Sequence, residues 1–404
     1  MLEKGNGQYF MKSILLLLST FVSILFLSGC WDRVEVNDLA IVTGAAIDKK
    51  DDNQLELTLQ IFIPKTLGGG GGEASGSGGG QMTFTASQTG KNIADSLSKI
   101  QGKIPREIFW GQCKVFIFGE DLAKQGIQEQ MDFLLRHPEP RGRAYVYISE
   151  GNAKNILEIV PNIERYSTEV LREISNYRVG MQITIQDIDE MLTGTAQAAA
   201  VPYVKIKKEQ PSEGKPLKYV HIDGTAVFQK DQMVGRITEA ETRGVLWLRD
   251  EIKGYTVSVE IEGEEGLVSL NPVSARVDLI PQIHDGKWKM TVKVATEGAI
   301  VQNETNLSFS DPKVLKKVES AYQKSIENRI QEALKQVQHE LHADIVDFSK
   351  EFYREYPKQW KRVENHWDEL FPEVEVNINV KAHIRRRGHI NKPGSLPDEE
   401  VKEE

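Results

Sequence analysis

LVSLNPVSARVDLIPQIHDGKWKMTVKVATEGA, residues 267–299, holds two long β-rich segments on either side of His284-Asp285-Gly286. Asp-Gly suits a two-residue hairpin turn whose central residues both take positive φ, so residues 267–283 and 287–299 are expected to pair antiparallel. Downstream, Asp311-Pro312 offers a helix N-cap followed by proline at the first helical position. Val314, Val318, Tyr322, Ile326, Ile330, Leu334, Val337, Leu341 and Ile345 then recur almost always every four residues. A coiled coil alternates spacings of three and four, so this stripe predicts a long amphipathic helix packed on its own sheet. Pro357 is expected to restart the helix, with Trp360 and Trp367 on one face as core beneath the long helix, before a last strand at 374–384. Hairpin, helix and returning strand make an α+β unit over residues 266–390, followed by a polar, acidic tail at 391–404 that is expected to fray.

Working back toward the N-terminus, Leu55, Leu57, Leu59, Ile61 and Ile63 alternate with Glu56, Thr58 and Gln60, the period-two pattern of a half-buried strand. With residues 39–47 it forms an expected hairpin around the charged turn from Asp48 to Asn53. Residues 68–80 contain only glycine, serine, Glu73 and Ala74 and read as a flexible coil; no Gly-Lys-Ser/Thr follows to make a phosphate loop. A strand at 82–86, helices at 92–101 and 126–137, a strand-like run at 109–118 carrying Cys113, and a strand at 143–149 complete an α+β unit over residues 30–160. Residues 161–265 read as a middle α+β unit: helices at 164–177 and 184–192, a loop punctuated by Pro202, Pro211 and Pro216, and a hairpin of 218–228 with 233–237. The fold class is therefore α+β, three mixed α/β domains with mainly antiparallel sheets and a long amphipathic helix in the last.

The chain has 404 residues, 40% hydrophobic and 27% charged, which excludes wholesale disorder and predicts two to three domains. Fifty basic against 59 acidic residues give a net charge of -9, the wrong sign for a chain that neutralises nucleic-acid phosphates. His339-Glu340-Leu341-His342 spaces its histidines by three where a zinc-binding helix needs four, and Asp187-Ile188-Asp189 lacks the glycine and closing glutamate of a calcium loop. No Gly-x-Ser-x-Gly, Cys-x-x-Cys or Gly-x-x-x-x-Gly-Lys occurs, so no catalytic residue, metal or cofactor is expected and the protein reads as a binding component, not an enzyme. Arg385-Arg386-Arg387 is the sharpest basic cluster, either a solvated strand end or a contact for anionic lipid headgroups.

The N-terminus supplies the most specific signal. Residues 14–27 are almost wholly apolar and too short to span a bilayer, as in a signal peptide, with Met11-Lys12 a second candidate start beside Met1. They end in Leu27-Ser28-Gly29-Cys30, the spacing of a bacterial lipobox: small Ser28 and Gly29 let a peptidase close on the bond before Cys30, whose sulfur takes a diacylglycerol. Residues 1–29 are thus expected to be removed, leaving a body tethered to the membrane through Cys30; two acyl chains hold stably where one does not. Cys113 then has no partner and reads as a small buried hydrophobe.

The run from Gly29-Cys30-Trp31-Asp32-Arg33 through Ala40 resembles the opening of the Ger(x)C family, the lipoprotein C subunits of spore germinant receptors. Further blocks fit in order: residues 117–127, Asp223-Gly224-Thr225-Ala226-Val227-Phe228, Ala343-Asp344-Ile345, and Pro357, Trp360, Trp367 and Phe371. The resemblance implies a three-domain protein on the outer face of the spore inner membrane, acting with the membrane-embedded A and B subunits to detect small nutrients. It carries over one site, the lipid attachment at Cys30, and no catalytic residues. A solute-binding lipoprotein of an importer is the alternative, which regular βα alternation in two similar lobes would favour; a lipid-anchored enzyme stands third.

Overall fold

A computed structural model describes residues 11–20, 35–51, 53–63, 82–178, 180–210 and 216–386. Cys30 and its box, the 68–80 glycine stretch, Arg387 and the 391–404 tail lie outside the described residues. Residues 11–20 are helical, and among the described residues no helix is long and apolar enough to cross a membrane.

The first sheet takes β1 (Leu39–Lys49), β2 (Leu55–Phe62), β3 (Thr83–Gly90), β4 (Glu107–Phe109), β5 (Val115–Gly119), β6 (Tyr145–Ser149), β7 (Ala198–Glu209), β8 (Leu217–Gln229) and β9 (Gln232–Ile237). Their order is β3-β2-β1-β5-β6-β7-β8-β9, with β4 also on β1. The centre, β1, β5, β6 and β7, is parallel, and an antiparallel flank extends it on each side. A parallel centre is covered on both faces, which is why Val115–Gly119 is buried at every position rather than at alternate ones. Helices Ile93–Gln101, Glu120–Gln125, Gln128–Arg136 and Ile185–Thr193 cover one face, while Lys154–Leu157 and Ser167–Asn176 cover the other.

That second cover explains a departure from the alternation in β2, where Thr58 and Gln60 are buried as well as the leucines. Gln60 Nε2 donates to Leu157 O at 2.9 Å and to Ser167 Oγ at 3.1 Å, and its Oε1 accepts from Thr43 and Thr168 hydroxyls at 3.1 and 2.7 Å. A buried amide with its hydrogen bonds filled thus pins the second helical layer to the sheet. Asp48, expected in the turn, is instead a buried residue of β1 that accepts from the Ala153 and Lys154 amides at 2.6 and 2.9 Å.

The strand-like run at 109–118 is two strands, β4 and β5, both parallel to β1 and separated by a turn through Gly111. Cys113 lies in that turn, 1% exposed, beside Trp110, whose ring stacks on Phe116 at 5.9 Å. Burial pushes its thiol up to about 12. A Cys30→Ser chain is therefore expected to resist a thiol-specific reagent at pH 8 until it is unfolded; prompt labelling of the native chain would contradict this burial.

The strands of the expected middle unit do not make a sheet of their own. β7 pairs with β6 through Ile148 and Tyr203, so the first sheet runs on across residue 160. Nor is Pro202 in a loop: it lies within β7, at a register shift between Pro202 and Val204, where a bulge removes the need for the amide that proline lacks. After β9, Thr238 and Glu241 form a capping box that opens a helix at Glu239–Leu248, unanticipated because Gly244 interrupts it.

The second sheet, β10-β11-β12-β13, comprises β10 (Val257–Glu260), β11 (Leu267–His284), β12 (Lys287–Asn303) and β13 (Glu375–Arg386). The β11–β12 turn is as expected, with Asp285 and Gly286 at φ 51° and 77° between paired His284 and Lys287. β13 returns parallel to β12. The helix Pro312–Leu334, capped by Asp311, buries Val314, Val318, Tyr322, Ile326 and Ile330 and lies against β10, β13 and the Glu239–Leu248 helix. It continues through a widened turn, Lys335–Glu340, and stops; Leu341 and Ile345 belong to the turn beyond, where His342 takes φ 52°. The next helix, Phe348–Glu355, begins before Pro357, which opens only the short Pro357–Trp360 turn.

Candidate functional site

The residues that sequence reading set apart are mostly held in place by the fold. Arg385 donates to Glu297 Oε2 at 2.8 Å, a solvated strand end with its charge matched. His339 and His342 sit at the close of the long helix, His342 Nε2 2.9 Å from the His339 carbonyl, not on one helical face. Asp187 completes a capping box with Thr184. Among the described residues no group of three His, Cys, Asp or Glu side chains could hold a metal.

Trp360 and Trp367 belong to separate short helices, yet both are buried with ring centroids 5.0 Å apart. Trp288 from β12, Phe352 and Phe371 complete the cluster beneath the aromatic pair. Its polar anchor is Asp344, 2% exposed. The carboxylate accepts from the Phe348 and Ser349 amides at 3.1 and 2.7 Å and from Trp367 Nε1 at 3.0 Å, with a longer contact to the Val346 amide at 3.3 Å. Burial pushes its carboxyl above the usual range, while the Ser349 amide pulls the other way. One aspartate thus satisfies the first amides of a helix and fixes a tryptophan two elements away. Its signal in the sequence is a lone acid between Ala343 and Ile345.

In the Asp223-Gly224 block, Asp223 bridges Lys205 at 2.5 Å and Arg236 at 2.9 Å. Gly224, at φ 118°, lies where a Cβ would collide with the Ile237 carbonyl. The block is a structural corner between β7, β8 and β9.

A cleft of mixed polar and apolar lining lies between the two sheets, bounded by the Ile185–Thr193 helix on one side and by Asp347, Lys350 and Tyr353 on the other. Its volume is ≈ 510 Å³, and it is lined by Arg178, Gln182, Glu190, Arg249, Glu251 and Lys350 among others. Arg249 forms its floor: Nε donates to Glu251 Oε1 at 2.9 Å and Nη1 to the Ile345 carbonyl at 3.1 Å, stapling the Glu239–Leu248 helix to the Asp344 turn. Cations and carboxylates share the walls, an arrangement suited to a small polar molecule carrying both charges. Sequence reading missed this cleft because Arg178, Arg249 and Lys350 converge only through tertiary packing.

Comparison with known proteins places this architecture. A family model described as spore germination protein N-terminal domain matches residues 32–206, and one described as spore germination B3/GerAC like, C-terminal, matches residues 223–388. Spore germination protein KC of Bacillus subtilis is 30% identical over 399 residues, covering 95% of this chain and 98% of the relative. Spore germination protein B3 of the same organism is 26% identical over 382 residues, covering 92% and 97%. The crystal structure of the GerBC protein shares the fold at a TM-score of 0.57 and 20% identity, over 85% of this chain and 97% of that one. End-to-end likeness in sequence, with the first matched model ending inside β7 and the second beginning inside β8, means that the chain belongs to the GerAC-like, or Ger(x)C, family of spore germination proteins.

Proposed function

We propose that this protein is the lipid-anchored C subunit of a spore germinant receptor, held on the outer face of the spore inner membrane through diacylglycerol on Cys30. It acts by binding and coupling with the membrane-embedded A and B subunits during nutrient-triggered germination, rather than by catalysis. The observation that carries this reading is the near full-length likeness to spore germination protein KC, joined to the lipobox ahead of Trp31-Asp32-Arg33. The importer alternative loses support from the architecture, since two similar βα lobes are replaced by sheets of nine and four strands.

The test replaces Cys30 by alanine in the native gene and follows dipicolinic acid release from purified spores across amino acids, nucleosides and sugars. Loss of the response to one nutrient class, with the protein missing from the inner-membrane fraction, is the expected result and names the stimulus. Unchanged responses in spores lacking every other receptor would remove the germination reading. The cleft over Arg249 offers a place for direct nutrient binding; saturable heat on titrating the purified chain would support it, and silence with every germinant would leave coupling as the whole role.

A further inference from the structure

β1, β5 and β6 run parallel, Gly44 beside Val115 and Val115 beside Tyr145, so the segments leading into all three emerge at one end of the sheet. β4 enters at that same end, Glu107 beside Leu39. Those leading segments carry Lys103, Arg106, Lys114, Arg141 and Arg143. Lys114, Arg141 and Arg143 are exposed. Among the described residues none of the five makes an ion pair or a side-chain hydrogen bond. Lys205, Arg236, Arg249 and Arg385, by contrast, have carboxylate partners. Burial and then the nearby charges of Arg141, Arg143 and Arg172 hold the Lys114 ammonium below its usual range; Arg172 is paired with Glu169 and Glu173, whereas among the described residues Arg141 and Arg143 have no ion-pair partner. Glu35, Asp38 and Glu107 lie toward the β1 and β4 side of the same end.

The chain itself says what this end faces. Cys30 precedes Leu39, the first residue of β1, by nine residues, a tether of at most about 30 Å when fully extended. The chain as a whole is acidic, with a net charge of -9, so an anionic surface is expected to repel its carboxylate-rich faces. We propose that Lys114, Arg141 and Arg143 form a docking surface for an anionic phospholipid bilayer, which orients the first sheet with its β1–β5–β6 entry end against the membrane. The proposal rests on the tethered reading of Cys30 for the direction it assigns, while its charge chemistry is independent of it. An oriented body presents the same faces to its membrane-embedded partners at every encounter, whereas a lipid leash alone leaves it free to tumble.

The test uses the full mature chain with Cys30→Ser, so that no lipid takes part, sedimented with vesicles of phosphatidylglycerol and phosphatidylcholine or of phosphatidylcholine alone. The wild-type surface is expected to bind the anionic vesicles at least about fivefold more than the neutral ones at low salt, and to lose that margin at high salt. The triple variant Lys114→Glu, Arg141→Glu, Arg143→Glu should abolish the margin with an unchanged melting temperature. A matched triple on the second sheet and its helix, Lys287→Glu, Lys313→Glu, Lys335→Glu, carries the same charge change and should keep most of the margin. Equal loss in both triples, no preference for anionic vesicles, or displacement by inorganic phosphate would each overturn the proposal. Because the protein is unlipidated, a negative result here leaves the Cys30 germination test untouched, and the converse holds as well.

Discussion

Asp344→Ala is expected to lower the stability of the C-terminal half by about 4 kcal/mol, a fall in melting temperature of roughly 10 °C. The carboxylate is enclosed, and the alanine methyl accepts nothing. The Phe348 and Ser349 amides and the Trp367 indole N–H then keep their burial and lose their acceptor. Each unpaired buried donor costs about 1–3 kcal/mol, and the lost helix cap is part of the same sum rather than an addition to it. Water entering the space left behind would soften the loss, which is why the figure sits well below the simple total. Asp344→Asn retains one acceptor oxygen but turns an amide NH₂ toward the remaining donors, so its melting temperature should lie between those of wild type and Asp344→Ala. Thermal melts of the purified chain, followed by near-ultraviolet dichroism of the Trp288, Trp360 and Trp367 cluster, check both. An Asp344→Ala chain melting within about 2 °C of wild type would mean that the anchor carries little of the load.

What could be read from the sequence divides along a physical line. The β11–β12 hairpin, the Asp311 cap and the start of the long helix are set by local chemistry, and they stand where the sequence places them. The joining of β7 to β6 is not local: a parallel pair says nothing of its partner in its own residues, and Pro202 argues against a strand until the bulge is known. The stripe through Leu341 and Ile345 misleads for a related reason. Both are apolar because their part of the chain packs in the core, and an apolar residue in a buried turn looks like the next turn of a helix. At the functional level, Leu27-Ser28-Gly29-Cys30 is a contiguous stretch, so the lipid attachment proposed there is a reading of linear sequence alone. The Arg249 cleft and the entry-end cations are assembled from segments far apart in the chain, so no spacing announces them.

Gly244→Ala poses the same contrast as an experiment with a defined sign. At an exposed helix interior, replacing glycine by alanine stabilises by about 1 kcal/mol. Gly244 lies mid-helix in Glu239–Leu248, so propensity alone predicts a gain. There a Cβ would meet the Arg329 carbonyl oxygen and lie 2.5 Å from the Ala333 Cβ, atoms of the long helix that cannot rotate away. The two helices must part by an ångström or so, and the Val245 and Trp247 side chains, both at 0% exposure, lose contacts as they do. Overpacking costs about 1–3 kcal/mol, and two collisions with backbone-anchored atoms put this site in the upper part of that range, so the propensity term is reversed and Gly244→Ala is destabilised by about 1–2 kcal/mol. Gly244→Val, with its branched β-carbon, should fall by about 3 kcal/mol or more. Ala333→Gly removes one of the two collisions, so the double variant with Gly244→Ala should lose less than the sum of the single changes, a coupling that urea melts of the four chains would measure. Because this contact joins the first sheet's last helix to the helix that covers the second sheet, its loosening should also raise protease sensitivity between the two halves. A Gly244→Ala chain as stable as wild type, or strict additivity with Ala333→Gly, would mean that the halves are not held by this crossing, and the Arg249 staple would then have to carry the connection.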